Sequence, residues 1–185
     1  LIELLKRILT GTIFGITIFS LIIFFPNYVF SIFLILCLFL ILLIEWPNII
    51  VNWKTTLINK ILLTFFYPIL PFLFIIFLQQ TNYKSLNVLL FSLAFAHDVG
   101  SYFTGKYFGS LKLCPTISPQ KTWEGFIGGI ILTFMVAKII FFKENMEFLI
   151  LSFFIFIFCI FCIAGDLFES YLKRKSKIKD SSQIL

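Results

Sequence analysis

Charged residues are scarce in this chain of 185 residues. Asp, Glu, Lys and Arg together make up 13% of it, about half of their usual share in soluble domains. Hydrophobic residues make up 60%, and phenylalanine alone occurs 27 times. This composition excludes a disordered chain, a coiled coil and a small secreted scaffold. It also excludes a water-soluble globule, because the interior of such a protein is too small to hide so much apolar surface.

Residues that bind metals or form disulfides are also few, with one histidine and four cysteines. Cys159-x-x-Cys162 is half of a zinc or redox motif, but no second cysteine pair and no nearby histidine completes it. Cys37 also lies in an apolar run. We therefore predict that these cysteines pack within helices.

Six long apolar runs account for most of the sequence. A transmembrane helix needs about 20 mostly apolar residues, so the runs predict an all-α, polytopic integral membrane protein. It would form a single domain over residues 1–185, with about six transmembrane helices. Trp46, which follows the second run, is predicted to lie at the bilayer interface. The predicted spans are Ile8–Phe25, Val29–Ile44, Ile61–Leu78, Leu86–Ala96, Phe126–Phe142 and Phe148–Ala164.

Basic residues are distributed unequally between the two sides of this topology. Alternate loops and both termini carry twelve Lys and Arg residues on one side, and only Lys84 and Lys143 lie on the other. Such a bias marks the cytoplasmic side of short loops, and it explains the net charge of +6 without a nucleic-acid partner. We expect a multi-pass protein of the cell (inner) membrane, with both termini and the 98–124 loop in the cytoplasm.

Polar residues concentrate in two stretches on the predicted cytoplasmic side, and the first is the glycine-rich loop expected over Asp98–Glu124. Gly100, Gly105 and Lys106 match most of a phosphate-binding P-loop, but Tyr107 stands where that motif needs Ser or Thr. A loop without a ligand is the alternative. Lys121 precedes the fifth span, near a helix N-terminus of the kind that attracts phosphate.

The second polar stretch follows the last span. If the helix continues, Asp166, Glu169, Ser170 and Lys173 share one face, since they fall at i, i+3, i+4 and i+7. Two acids, a hydroxyl and a cation suit a hard metal ion with phosphate. A helix that simply emerges into water is the alternative. The basic cluster over Lys173–Lys179 indicates either a site for anionic lipid or phosphate, or ordinary anchoring.

Taken together, the two stretches resemble the phosphatidate cytidylyltransferase (CDP-diacylglycerol synthase) family. The first matching block is Asp98-x-Gly100-x-Tyr102-Phe103-x-Gly105-Lys106-x-Phe108-Gly109, followed by Lys112-Leu113-x-Pro115-x-Ile117-Ser118-Pro119-x-Lys121-Thr122-Trp123-Glu124-Gly125. The second is Gly165-Asp166-Leu167-x-Glu169-Ser170-x-x-Lys173-Arg174-x-x-x-x-Lys179-Asp180-Ser181. The order and length of these blocks make the resemblance specific.

The resemblance implies that CTP and phosphatidate react to give CDP-diacylglycerol and pyrophosphate, with Mg²⁺ as cofactor. It implies Asp166 as the main metal ligand, and Asp180 and Glu169 as further candidates. Membrane lipid would be a partner, and a homodimer is left open. The implied catalytic residues are Asp166, Lys121, Lys173, Arg174, Lys179 and Asp180, and the implied substrate-binding residues are Asp98, Gly105, Lys106, Ser118 and Ser170.

The family signature continues with a Pro-Gly-His-Gly-Gly turn and an Asp-Arg-x-Asp segment, whereas the printed sequence ends at Leu185. We expect the partner carboxylates of Asp166 beyond that point. The prediction is therefore a C-terminally shortened member of the family, with little or no transferase activity in these 185 residues alone. A non-catalytic remnant of the family is one alternative. A small polytopic transporter component is another, although its polar residues would be expected near the midplane.

Overall fold

The computed structural model describes residues 2–51, 53, 55–142 and 147–176. The chain divides into two compact units, residues 1–88 and 89–185, and the prediction of a single domain stays a prediction. The helices are α1 (Ile2–Ile23), α2 (Asn27–Val51), α3 (Leu57–Gln80), α4 (Lys84–Phe108), α5 (Trp123–Ile140) and α6 (Phe148–Lys175), and the strands are β1 (Lys112–Cys114) and β2 (Ser118–Thr122).

Each of the six predicted apolar spans coincides with a helix. Helices α2 to α6 are long and apolar enough to cross a membrane. In the described part of α1, the apolar helix covers Leu9–Ile23 and is shorter than a typical span. The all-α, polytopic membrane fold is thus confirmed, and five of its six predicted spans are supported by length and composition. The β1–β2 hairpin is the one pair of strands among the described residues.

Two helices of the first unit contain a π-helical turn beside a proline. The turn over Ile41–Glu45 in α2 precedes Pro47, and the turn over Phe65–Ile69 in α3 contains Pro68. Proline has no backbone N–H to donate within a helix, so a wider turn accommodates it. The helices continue through both prolines, because apolar side chains on either side still favour a membrane span.

Trp46 is buried within the first unit, and its predicted place at the bilayer interface stays a prediction. Its indole Nε1 donates a hydrogen bond of 2.7 Å to Thr64 Oγ1, and its ring stacks on Tyr67 with the centroids 5.7 Å apart. The hydroxyl of α3 satisfies the indole N–H away from water, so Trp46 packs inside the unit.

Helix α4 continues to Phe108, ten residues beyond Asp98. The prediction of a loop from Asp98 is therefore wrong for residues 98–108, and the 98–124 segment is a helix end followed by a hairpin. The physical reason is helix packing. A Cβ at Gly100 would lie 2.6 Å from the Gly128 carbonyl oxygen, and one at Gly128 would overlap Thr104. These small residues let α4 and α5 approach closely, which outweighs the low helix propensity of glycine.

The second unit places a small hairpin at the end of three helices. Strands β1 and β2 are antiparallel, with Lys112 opposite Thr122 and Cys114 opposite Ser118. Thr122 also caps α5, because its Oγ1 accepts a hydrogen bond of 3.1 Å from the Gly125 N–H. The helices pack around a buried core of Leu93, Phe126, Ala137, Leu151, Ile155 and Cys159.

Helix α6 is longer than a bilayer is thick. Its 28 residues extend for about 42 Å, whereas a hydrocarbon core measures about 30 Å. The apolar part ends at Ala164. The turns from Asp166 onward therefore extend beyond the apolar part of the helix, next to the hairpin.

Candidate functional site

An ion pair joins the two polar stretches of the sequence. Lys121, on β2, contacts Asp166, on α6, through Nζ and Oδ2, although the residues are 45 positions apart. The Lys121 side chain is 25% exposed and that of Asp166 is 49% exposed. This opening to solvent leaves room for a ligand to reach both groups.

The polar face predicted for α6 is present. The helix continues through Asp166 to Lys175, so Asp166, Glu169 and Lys173 follow one another on one side. Lys173 Nζ lies 2.6 Å from Glu169 Oε1. Glu169 is therefore engaged by a cation four residues further along the helix, and Ser170 on the same face is half-buried.

Arg174 contacts the turn of the hairpin. Its Nε donates to the Ile117 carbonyl oxygen, at 3.4 Å. Ser118, the first residue of β2, follows directly. The hairpin is therefore held against α6 at its turn by Arg174 and at its second strand by Lys121. Both of these cations were predicted to bind phosphate.

Asp98 lies on α4, next to the buried side chain of His97. The Asp98 side chain is 68% exposed, and its Oδ1 is 3.7 Å from Nδ1 of buried His97. The Asp98 carboxylate is therefore turned toward solvent, and its role in binding substrate stays a prediction.

Gly105 and Lys106 are on α4 rather than in a loop. A Cβ at Gly105 would lie 3.2 Å from Thr122 Oγ1, so this glycine packs against the end of β2. Lys106 Nζ donates to the Tyr102 hydroxyl at 3.4 Å and lies over that ring. The structure thus gives both residues contacts within the protein, and their binding of substrate stays a prediction.

Glu124 is a residue of this site that the sequence reasoning missed. Its Oε1 accepts hydrogen bonds from the Ser110 hydroxyl at 2.5 Å and from the Leu111 N–H at 3.0 Å. The signal that could have revealed it is a carboxylate in the first turn of a helix, two residues after its N-cap.

The described residues do not form a complete metal site. No three Asp, Glu, His or Cys side chains come together in the part of the chain that the structure describes. Asp166 offers the oxygen donor that Mg²⁺ prefers, but it contacts Lys121, and Glu169 contacts Lys173. Lys179 and Asp180 were also predicted for the site, and they lie outside the described residues.

Comparisons with known proteins identify the family of the chain. Residues 48–185 match the model of a family described as the cytidylyltransferase family. That range contains the hairpin, α4, α5 and α6, and therefore every residue of the site.

Individual relatives of the chain belong to the same family. Phosphatidate cytidylyltransferase of Haemophilus influenzae is 35% identical over 163 residues, which are 79% of this chain and 55% of that protein. The proteins of the same name from Helicobacter pylori and Aquifex aeolicus are 36% and 33% identical, over 69% and 72% of this chain and 48% and 50% of their own lengths. The chain thus spans about half the length of the curated relatives it matches. No solved structure matches the chain.

Proposed function

Because this chain belongs to the cytidylyltransferase family, we propose that its site serves the transfer of a cytidylyl group from CTP to phosphatidate. A phosphate oxygen of the lipid attacks the α-phosphorus of CTP. The new P–O bond forms as the bond between the α-phosphorus and its bridging oxygen breaks, and pyrophosphate leaves. The products are CDP-diacylglycerol and pyrophosphate. This reaction depends on positioning and charge neutralisation.

The contact between Lys121 and Asp166 supports this proposal most strongly. It brings one cation and one carboxylate, from the two stretches that resemble the family, to a single point. The contact is partly exposed, so a phosphate group can compete with Asp166 for the ammonium of Lys121. Ion pairs of this kind are weak in water-accessible places, and a multiply charged phosphate is a strong competitor.

The other cations extend this site along α6. We assign Lys121, Lys173 and Arg174 to the phosphates of the two substrates. Arg174 contacts Ile117 through Nε alone, so the rest of its guanidinium can still donate to phosphate oxygens. Ser118 and Ser170 are proposed hydroxyl donors, and Asp98 is proposed to contact substrate.

A bound Mg²⁺ is also part of the proposal. We propose Asp166 as one oxygen ligand, and the described residues add no complete ligand set to it. A bound Mg²⁺ would neutralise phosphate charge.

The membrane position fits both proposed substrates. Phosphatidate carries its phosphate at the bilayer surface, whereas CTP is soluble, so a site just beyond the apolar part of α6 is open to each. We propose that this surface faces the cytoplasm and that the membrane is the inner membrane, since twelve Lys and Arg residues fall on that side of the predicted topology.

Substitution of Lys121 tests the proposal. The purified chain is placed in vesicles that contain phosphatidate, and both CTP binding and transfer of labelled CMP to lipid are measured. Lys121→Met is expected to weaken CTP binding about tenfold, through loss of a charged hydrogen bond. The matched control is Lys112→Met, because Lys112 is exposed on the other strand of the hairpin. Unchanged CTP binding in Lys121→Met, or no CTP binding by the unaltered chain, would contradict the proposal.

A further inference from the structure

Glu124 joins the beginning of the hairpin to the beginning of α5. Its carboxylate accepts from the Ser110 hydroxyl at 2.5 Å and from the Leu111 N–H at 3.0 Å through Oε1 and 3.3 Å through Oε2. These two donors lie within two residues of the start of β1, and Glu124 lies two residues after the end of β2. One side chain thus closes the open end of the hairpin.

Backbone contacts reinforce that closure. The Trp123 N–H donates to the Leu111 carbonyl oxygen at 3.0 Å, and Thr122 is both the partner of Lys112 and the N-cap of α5. The start of α5 therefore fixes the end of β2. Glu124 binds Ser110 and Leu111, which precede β1, to the same first turn of α5.

Lys121 is the residue just before this junction. Its reach toward Asp166 depends on where β2 ends, because β2 supplies its backbone. The distant turn of the hairpin contacts α6 through the longer hydrogen bond of 3.4 Å between Arg174 Nε and the Ile117 carbonyl oxygen. The short contacts of Glu124 are therefore better suited than the turn to fix the direction of Lys121.

We propose that Glu124 is a positioning residue: by holding Ser110 and Leu111 against the first turn of α5, it fixes the strand from which Lys121 reaches Asp166. The binding of phosphate by Lys121 rests on the proposed function, whereas the placement of Lys121 does not. The alternative role for Glu124 is to stabilise α5, since any negative charge in the first turn stabilises a helix.

Three substitutions separate the two roles. Glu124→Gln keeps a side chain of the same length with an oxygen that can accept from Leu111. Glu124→Asp keeps the charge for the helix but is shorter by one methylene, and Glu124→Ala loses both. The control is Glu147→Ala, because Glu147 precedes α6 and makes no capping hydrogen bond through its side chain.

The measurement is the rate at which an amine-specific acylating reagent modifies Lys121 in the full chain, read by mass spectrometry without CTP. Exposed Lys112 is the internal reference, and Asp166→Asn sets the rate for unpaired Lys121. Glu124→Ala and Glu124→Asp are expected to raise the rate about tenfold, and Glu124→Gln clearly less. Ser110→Ala, the milder variant if the others fold poorly, is expected to raise it about threefold.

Wild-type modification in Glu124→Asp would assign Glu124 to helix stabilisation and overturn the proposal. An effect of Glu124→Gln as large as that of Glu124→Ala would overturn it too, as would an equal rise in Glu147→Ala. If modification follows the expected order while no form of the protein binds CTP, the positioning role stands and the proposed function fails.

Discussion

The two units of the chain each contain a polar cluster, and the clusters are built from different chemistry. In residues 1–88 the cluster consists of neutral amides: Asn87 Nδ2 donates to Gln79 Oε1 at 3.1 Å, and Gln79 Nε2 donates to Asn27 Oδ1 at 3.5 Å. Gln79 and Asn87 are fully buried. In residues 89–185 the cluster consists of charged groups that are partly exposed, with Lys121 and Asp166 at its centre.

This difference separates a structural cluster from a binding cluster. Buried amides donate hydrogen bonds to one another between helices, and removing a donor leaves a buried acceptor unpaired, which has a desolvation cost. Exposed charges lose little when they exchange one partner for another, because water and ligands can replace it. We therefore expect substitutions in the amide cluster to change stability, and substitutions in the charged cluster to change ligand binding.

The largest effect is expected at Asp166. In a version of the protein able to complete the metal site, Asp166→Asn should lower magnesium-dependent transfer by about 100-fold or more, the scale seen when one electrostatic group of an active site is removed. The melting temperature should change little, since the side chain is half exposed. Glu147→Gln is the control carboxylate. Undiminished magnesium dependence in Asp166→Asn would exclude Asp166 as an essential ligand.

Stability should respond most to Asn87. Asn87→Leu removes the donor to Gln79 Oε1 and to the Ile75 carbonyl oxygen, both at 3.1 Å. The expected loss is about 1–3 kcal/mol of unfolding free energy, with CTP affinity unchanged. Asn82→Leu, in the exposed turn after α3, is the matched control. A binding defect in Asn87→Leu without a loss of stability would reverse our assignment of the two clusters.

The orientation of the clusters can be tested by labelling. In a variant without native cysteines, Ser110→Cys should react with a membrane-impermeant thiol reagent only from the cytoplasmic side. Asn82→Cys should react only from the opposite side, because the short loop around it falls on the side with few basic residues. Reversed labelling would refute the predicted topology, and with it the access of cytoplasmic CTP to the site.

The smallest effect is expected for the pair formed by Glu169 and Lys173. Glu169→Gln breaks a contact of 2.6 Å between partly exposed side chains, and such pairs at i and i+4 contribute about 0.3–0.5 kcal/mol. A small fall in melting temperature should therefore be its main effect. Loss of magnesium-dependent CTP binding in this variant would instead identify Glu169 as a metal ligand.

The membrane fold was predictable because it depends on local composition. Apolar runs such as Phe148–Ala164 leave a helix as the main way to satisfy backbone groups in lipid, and α6 begins at the residue predicted for it. The end of α4 was not predictable in this way. Asp98, Gly100 and Gly105 are typical of a loop when only the sequence is considered. The helix continues through them because α5 packs against it.

The candidate site was likewise predictable in part. The sequence by itself determined which residue types are available, including Lys121, Asp166 and Arg174, and it determined the shared face of Glu169 and Lys173 through the period of a helix. Only the tertiary structure decided that Lys121 meets Asp166, that Arg174 holds the hairpin, and that Glu124 closes it. The physical reason is that helix period and apolar runs act over a few residues, whereas these contacts join segments that chain folding alone brings together.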